Sequence, residues 1–232
     1  MRTPIILNDP PCGTERCYNG LPTLPKAEAD TLFPATSMPD RDWWSALWPD
    51  PEGVLRSLGI KPGMVALDLC CGDGYFTAPL TRLVCGKVDA LDLDPAMIER
   101  AKDEVARRGT SVRRWICADA LDLAHHFLDP VDFVLMANTF HGAPDQTWLA
   151  AQVGKTLRPG GLFAIVNWHP LPRERTTVLG QPRGPKTEIR MSPDAVKAVV
   201  EPAGFNVFHL VELPPYHYGI VLMRRIESGQ FE

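Results

Sequence analysis

The sequence predicts an α/β protein: a mostly parallel sheet with helices on both faces. Three observations carry that prediction. Short apolar runs bounded by glycine, proline or acidic residues recur between positions 64 and 224. Amphipathic stretches with recognisable helix caps separate most of them, as parallel strands require. A glycine turn, Cys71-Gly72-Asp73-Gly74, follows the first run and precedes a helical stretch, a junction at which open α/β sheets hold ligands.

The elements follow in order. Residues 1–40 hold seven prolines without helical or strand periodicity and read as an irregular arm. Asp40 to Trp48 reads as a short amphipathic turn whose Trp43, Trp44 and Trp48 need burial. We assign 1–49 to a Pro-rich arm and lid, and 50–232 to the main domain. Asp50 caps a helix that starts at Pro51 and stops at Gly59. Residues 64–69 form a buried strand, 75–84 a helix and 87–92 a second strand. Pro95 starts a helix with Met97, Ile98, Ala101 and Val105 on one face. Strands follow at 112–117 and 131–137, then a helix from Asp145 to about Leu157. Pro159-Gly160-Gly161 turns into a fifth strand at 162–167, and Ser192-Pro193 opens a helix that ends at Gly204. The runs 205–213 and 219–224 share only a proline turn and should pair antiparallel. Residues 168–191 read as an irregular loop over the carboxyl edge of the sheet.

Composition excludes several classes. The chain has 232 residues, 45% hydrophobic and 22% charged, with a formal net charge of −4. That balance rules out a wholly disordered chain and argues against a nucleic-acid partner, which calls for a basic face. No apolar run nears the roughly 18 residues that span a bilayer, and the amino-terminal apolar run is too short for a secretory signal. We expect a soluble cytoplasmic protein with no membrane partner. Cys12, Cys17, Cys70, Cys71, Cys85 and Cys117 read as free thiols, and no spacing suits a catalytic metal.

The glycine turn is ill suited to a dinucleotide. The third glycine of G-x-G-x-x-G is replaced by Thr77, and Asp73 lies where a diphosphate would sit. The acids point elsewhere. Asp68 ends the first strand and could sit near an ammonium. Asp92 ends the second, about 20 residues past the turn, where a carboxylate accepts ribose hydroxyls. Asp119 follows the third and could accept from an adenine amino group. A ligand with ribose, adenine and a cationic amino-acid tail matches these three acids.

The segments LDLCCGDGYFT at 67–77, VDALDLDPAMIERAK at 88–102, CADALDL at 117–123, VDFVLMANTFHGAPD at 131–145 and LRPGGLFAIVNWHP at 157–170 together resemble the class I S-adenosylmethionine-dependent methyltransferases. They are most similar to the small-molecule branch that includes ubiquinone-biosynthesis C-methyltransferases. The resemblance covers roughly residues 50–225. It implies a Rossmann-like class I methyltransferase fold, a seven-stranded, mostly parallel sheet with the last strand antiparallel, and S-adenosylmethionine as cofactor. It also implies that Asp68, Cys70, Gly72 and Gly74 line the methionine part and that Asp92 binds the ribose. Leu93 and Met97 would lie beside the adenine, Asp119 and the Ala120 amide would read its edge, and Asn138 would lie near the methionine tail. Cys70 departs from the glycine of many members.

Methyl transfer needs in-line positioning, and a base only where the acceptor must lose a proton. His141, four residues past the fourth strand, is the candidate catalytic base, with His169 a second. Trp44, Trp168, His169, Arg190 and Tyr216 are candidate substrate contacts. Arg173, Arg175, Arg183, Lys186 and Arg190 outweigh Glu174 and Glu188 in the 168–191 loop and could steer an anionic acceptor. The expected function is methyl transfer to O, N, S or C of a small molecule. The alternative is a non-catalytic S-adenosylmethionine-binding sensor or assembly protein. A nicotinamide-dependent oxidoreductase is disfavoured by the acidic turn. Nucleobase amino-methyltransferases carry an N/D-P-P-Y segment where this chain has Asn138-Thr139-Phe140-His141.

Overall fold

The computed structural model describes residues 41–127 and 129–226, all within one compact unit. Most of the Pro-rich arm, with Cys12 and Cys17, lies outside the described residues.

Two short helices come first, α1 (Arg41–Leu47) and α2 (Pro51–Ser57). Strand β1 (Ala66–Leu69) leads through the glycine turn into α3 (Thr77–Leu83). Then follow β2 (Val88–Asp92), α4 (Pro95–Arg107) and β3 (Arg114–Cys117). A 3-10 helix, Ala120–His126, connects to β4 (Val131–Ala137), and α5 (Gln146–Thr156) connects to β5 (Leu157–Trp168). Within the next loop a small hairpin pairs β6 (Thr177–Val178) with β7 (Gln181–Pro182). The described chain closes with α6 (Pro193–Val200), β8 (Phe205–Leu213) and β9 (His217–Arg224).

Short acidic and hydroxyl side chains set the helix starts. The Gly53 amide donates to Asp50 (2.9 Å), the Ala96 amide to Asp94 (2.8 Å), the Trp148 amide to Asp145 (2.8 Å) and the Ala195 amide to Ser192 (3.2 Å). Each cap satisfies an orphan amide of a first turn, worth about 1 kcal/mol.

The main sheet has the order β3-β2-β1-β4-β5-β9-β8. The first five strands are parallel, and β9 runs antiparallel to both β5 and β8. This matches the mostly parallel, seven-stranded fold expected. The chain moves outward from β1 to β3 on one side, then returns to place β4 on the other. That reversal opens a crevice at the carboxyl ends of β1 and β4.

Both sheet faces are covered, so a central strand such as β4 carries apolar residues toward both faces. In β4, Val134 and Met136 join a core with Leu149, Val153 and Val196, while Phe133 and Leu135 join the opposite core with Leu55, Leu80 and Trp48. Fully burying a Phe or Leu side chain contributes about 1.5–3 kcal/mol.

Three local features differ from the sequence reading. Residues 41–47 are helical, because spacings of four put Trp43 with Leu47 and Trp44 with Trp48. Trp44 and Trp48 stack with centroids 5.3 Å apart. The β3–β4 link is helical because Asp119 caps it, accepting from the Leu121 amide at 2.8 Å. The 168–191 loop contains a hairpin and is organised by a buried arginine. No helix among the described residues is long and apolar enough to cross a membrane.

Candidate functional site

A cavity of about 900 Å³ opens at the carboxyl ends of β1, β2 and β4. Its walls come from the glycine turn, the ends of β2 and β4, the start of the 3-10 helix, α1, and the loop after β5.

One wall is acidic. Asp68 is buried at the end of β1, and the Thr77 hydroxyl donates to it at 2.6 Å. Burial pushes its carboxyl up to about 7, the Thr77 hydrogen bond opposes that rise, and the nearby Asp92 and Asp73 charges add to it. Asp92 is oriented by backbone: the Gly72 amide donates to one oxygen at 2.8 Å and the Asp94 amide to the other at 3.0 Å. Burial raises its pKa, against those two amides. Each oxygen retains accepting capacity for a ligand hydroxyl. Asp119 reaches the same cavity while capping the 3-10 helix.

Backbone geometry is unusual here. Cys70 has φ +59° and Asn138 has φ +60°, the left-handed region that favours glycine and that asparagine tolerates better than most. Burial, then the charges of Asp92, Asp68 and Asp119, pushes the Cys70 thiol well up. It therefore stays protonated and is no nucleophile. Asn138 Oδ1 is buried with no hydrogen-bond donor among the described residues.

His141 sits on the 3-10 turn Phe140–Gly142 and is buried. Its Nδ1 lies 3.4 Å from Asn167 Oδ1, and with the amide oxygen toward the ring a hydrogen bond there requires the ring proton on Nδ1. Nε2 is then a lone-pair acceptor, and it is buried without a partner. Burial lowers the pKa, Asn167 opposes this, and the Arg190 charge lowers it further. The ring is neutral near pH 7, the form a proton acceptor needs.

The cavity brings together twelve of the expected residues: Asp68, Cys70, Gly72, Asp92, Leu93, Met97, Asp119, Ala120, Asn138, His141, Trp44 and Trp168. Four do not line it. Gly74 (φ +82°) faces α4, where an added Cβ would meet Ala101 Cα at 2.8 Å, so it brings the turn close to that helix. His169 Nε2 lies 2.9 Å from Glu212 Oε2, away from the cavity. Tyr216 stacks on Trp168 (6.1 Å, 12°), and its hydroxyl donates to Thr177 O at 3.0 Å, so it backs the cavity wall.

Arg190, expected to face the ligand, is instead the staple of the 168–191 loop. It donates to the carbonyls of Leu171 (2.9 Å), Pro185 (3.1 Å) and Arg183 (3.1 Å) and to the Thr176 hydroxyl (3.0 Å). A buried guanidinium needs such acceptors, and carbonyls of a loop folded around it supply them.

Tyr75, Phe76, Thr139 and Gly184 also line the cavity but carried no site assignment from sequence. The Tyr75 hydroxyl donates to Trp48 O at 2.5 Å, tying the residues after α1 to the glycine turn. Aromatic residues directly after the two glycines were the available signal. Among the described residues no group of three or more His, Cys, Asp or Glu could hold a metal ion.

Residues 66–161 match the sequence profile of a family described as a methyltransferase domain. A demethylmenaquinone methyltransferase of Staphylococcus aureus strain MRSA252 is 29% identical over 115 residues, covering 49% of this chain and 46% of the relative. The chain thus spans about half the length of the curated relatives it matches. Among solved structures, a SAM-dependent methyltransferase from Aquifex aeolicus superposes with a TM-score of 0.65 at 27% identity, over 79% of this chain and 93% of that one. The N-methyltransferase NodS from Bradyrhizobium japonicum WM9 shares the fold, with a TM-score of 0.60 at 14% identity over 82% of this chain and 100% of that one.

Proposed function

We propose that the protein binds S-adenosylmethionine in this cavity and transfers its methyl group to a small-molecule acceptor, a reading supported by the match of residues 66–161 to a methyltransferase-domain profile and by the similarity to the Aquifex aeolicus structure. The observation that carries the reading is the convergence of Asp68, Asp92 and Asp119 on one cavity that also holds His141.

The residues suit that ligand. Asp92, oriented by two amides, takes the ribose hydroxyls, and Asp119 with the Ala120 amide takes the adenine edge. Leu93 and Met97 supply apolar surface beside the base. Asp68 and the unpartnered Asn138 Oδ1 take the ammonium of the methionine tail, whose charge relieves the crowding of carboxylates. When bound, S-adenosylmethionine supplies an electrophilic methyl: the acceptor's electron pair bonds to that carbon while the carbon–sulfur pair leaves on sulfur as a neutral thioether. His141 Nε2 accepts the acceptor's proton where the nucleophile carries one. The enclosing walls fix the approach, which is the main catalytic contribution in such a displacement.

The net charge of −4 disfavours a nucleic-acid acceptor. Free Cys70, Cys71, Cys85 and Cys117 support a reducing, cytoplasmic setting. Trp43 and Trp44 of α1 line the cavity and would serve as its wall on that side.

The test is incubation of the purified chain with methyl-labelled S-adenosylmethionine and a metabolite extract. A labelled small molecule and released S-adenosylhomocysteine are expected. Tight S-adenosylhomocysteine binding with no labelled product would instead favour the sensor alternative.

A further inference from the structure

The acceptor can be narrowed from the wall facing away from the glycine turn; this rests on the methyltransferase reading above. The loop after β5 contributes Arg173, Arg183 and Lys186 to the cavity, whereas its Glu174 and Glu188 do not line it. None of the three cations forms an ion pair among the described residues. Arg183 is half-buried, and its Nε is buried without an acceptor. A guanidinium with one N–H buried and unpartnered gains from the arrival of a counter-charge.

The cations are mounted on an aromatic wall. Arg183 Cζ lies 5.8 Å from the Trp43 ring centroid, and the Trp43 and Trp168 centroids are 6.0 Å apart. Gly184 (φ +89°) lies so close to Trp168 that an added Cβ would meet its ring at 2.8 Å. Arg173 Nε donates to Gly184 O at 3.0 Å, and the buried Arg190 holds this segment through its carbonyls while its Cζ lies 5.0 Å from the Trp168 ring centroid. The positive charge is therefore built into position beside Trp43, Trp44 and Trp168.

We propose that the methyl acceptor is a planar aromatic acid: its ring lies against Trp43 and Trp44, which Trp168 backs, and its carboxylate or equivalent anionic group is held by Arg183 and Lys186. Aromatic faces supply apolar area with a preferred stacking geometry, and a charge-assisted contact to a guanidinium discriminates against neutral isosteres. A cationic acceptor meets like charge, and a neutral one leaves Arg183 unpaired.

Calorimetry on the full chain with saturating S-adenosylhomocysteine tests this. The probes are a set of hydroxylated aromatic acids, their neutral carboxamides, cyclohexanecarboxylate, a neutral naphthoquinone and benzylamine. At least one aromatic acid should bind about tenfold more tightly than its amide and than the cyclohexyl acid, and Arg183→Gln with Lys186→Gln should remove about that factor. Added salt should weaken the same complex. Lys186 is exposed, so Lys186→Gln alone serves if the double variant fails to fold. The proposal is overturned if the amide, quinone or amine binds as tightly as any acid, if no acid binds, or if the variants leave acid binding unchanged. Retained S-adenosylhomocysteine binding with such a result sinks only the acceptor class. Failure to bind S-adenosylhomocysteine sinks the methyltransferase reading itself.

Discussion

A carboxylate as deeply buried as Asp68, with Thr77 as donor and Asp92 and Asp73 as charged neighbours, is held where ionisation is disfavoured. Its folded value, about 7, lies above the ordinary 3.8. Asp68 therefore adds stability that is complete below the ordinary carboxylate range and is lost as pH rises through about 7. A ligand ammonium reverses the balance by favouring the carboxylate. S-adenosylhomocysteine affinity should accordingly rise with pH up to about 7 and level off above it, by at most about tenfold per pH unit. Calorimetry between pH 5.5 and 8.5 reads this; a flat profile, or an unchanged one in Asp68→Asn, would contradict it. His141 acts through chemistry rather than affinity. With Nδ1 turned to Asn167 and Nε2 unpartnered, His141→Ala should lower turnover at least about tenfold for an acceptor that loses a proton. Single-turnover rates check this, and an unchanged rate would remove His141 from the mechanism. The carboxylates and this histidine were legible from position alone, because strand ends are marked by apolar runs. The partners Thr77 and Asn167 were not, since side-chain pairing across elements leaves no local pattern.

The glycine turn works as an element because α4 lies against it. Gly74 combines φ +82° with a backbone contact at 2.8 Å from the Cβ position, so Gly74→Ala is both strained and overpacked. It should destabilise the protein by about 2–4 kcal/mol, seen as a lower denaturant midpoint. It should also weaken S-adenosylhomocysteine binding, because the Gly72 amide that orients Asp92 moves with the turn. A stable variant with unchanged affinity would show that the turn is not held by this contact. The two glycines could be read from sequence, but their division of labour could not: Gly72 faces the ligand side and Gly74 faces a helix. Likewise the tryptophans near residue 43 announced burial, while their attachment to the turn depends on the Tyr75–Trp48 hydrogen bond.

Across the whole molecule, the strand order places the ends of β1, β2 and β4 around one cavity. A ligand that binds only the folded chain stabilises it by mass action, about 2.7 kcal/mol at a hundredfold excess over Kd. For a chain of this size that is a rise of about 5–10 °C in Tm. S-adenosylhomocysteine should give such a shift and NAD none, because Asp92 and Asp119 on the cavity wall repel a diphosphate. Equal shifts, or a larger one with NAD, would reverse the cofactor assignment. Differential scanning fluorimetry suffices for the comparison.

The residues by themselves determined the alternation of strands and helices, the glycine turn and the acidic positions at strand ends. Apolar periodicity, caps and glycine act over a few neighbouring residues, so they are written locally. Only the tertiary structure decided that Arg190 staples a loop instead of meeting a ligand, that Gly74 serves packing, and that Arg183 stands unpaired beside Trp43. Those outcomes depend on which distant carbonyls, rings and helices meet a side chain, and the spacing of letters along one chain does not encode that.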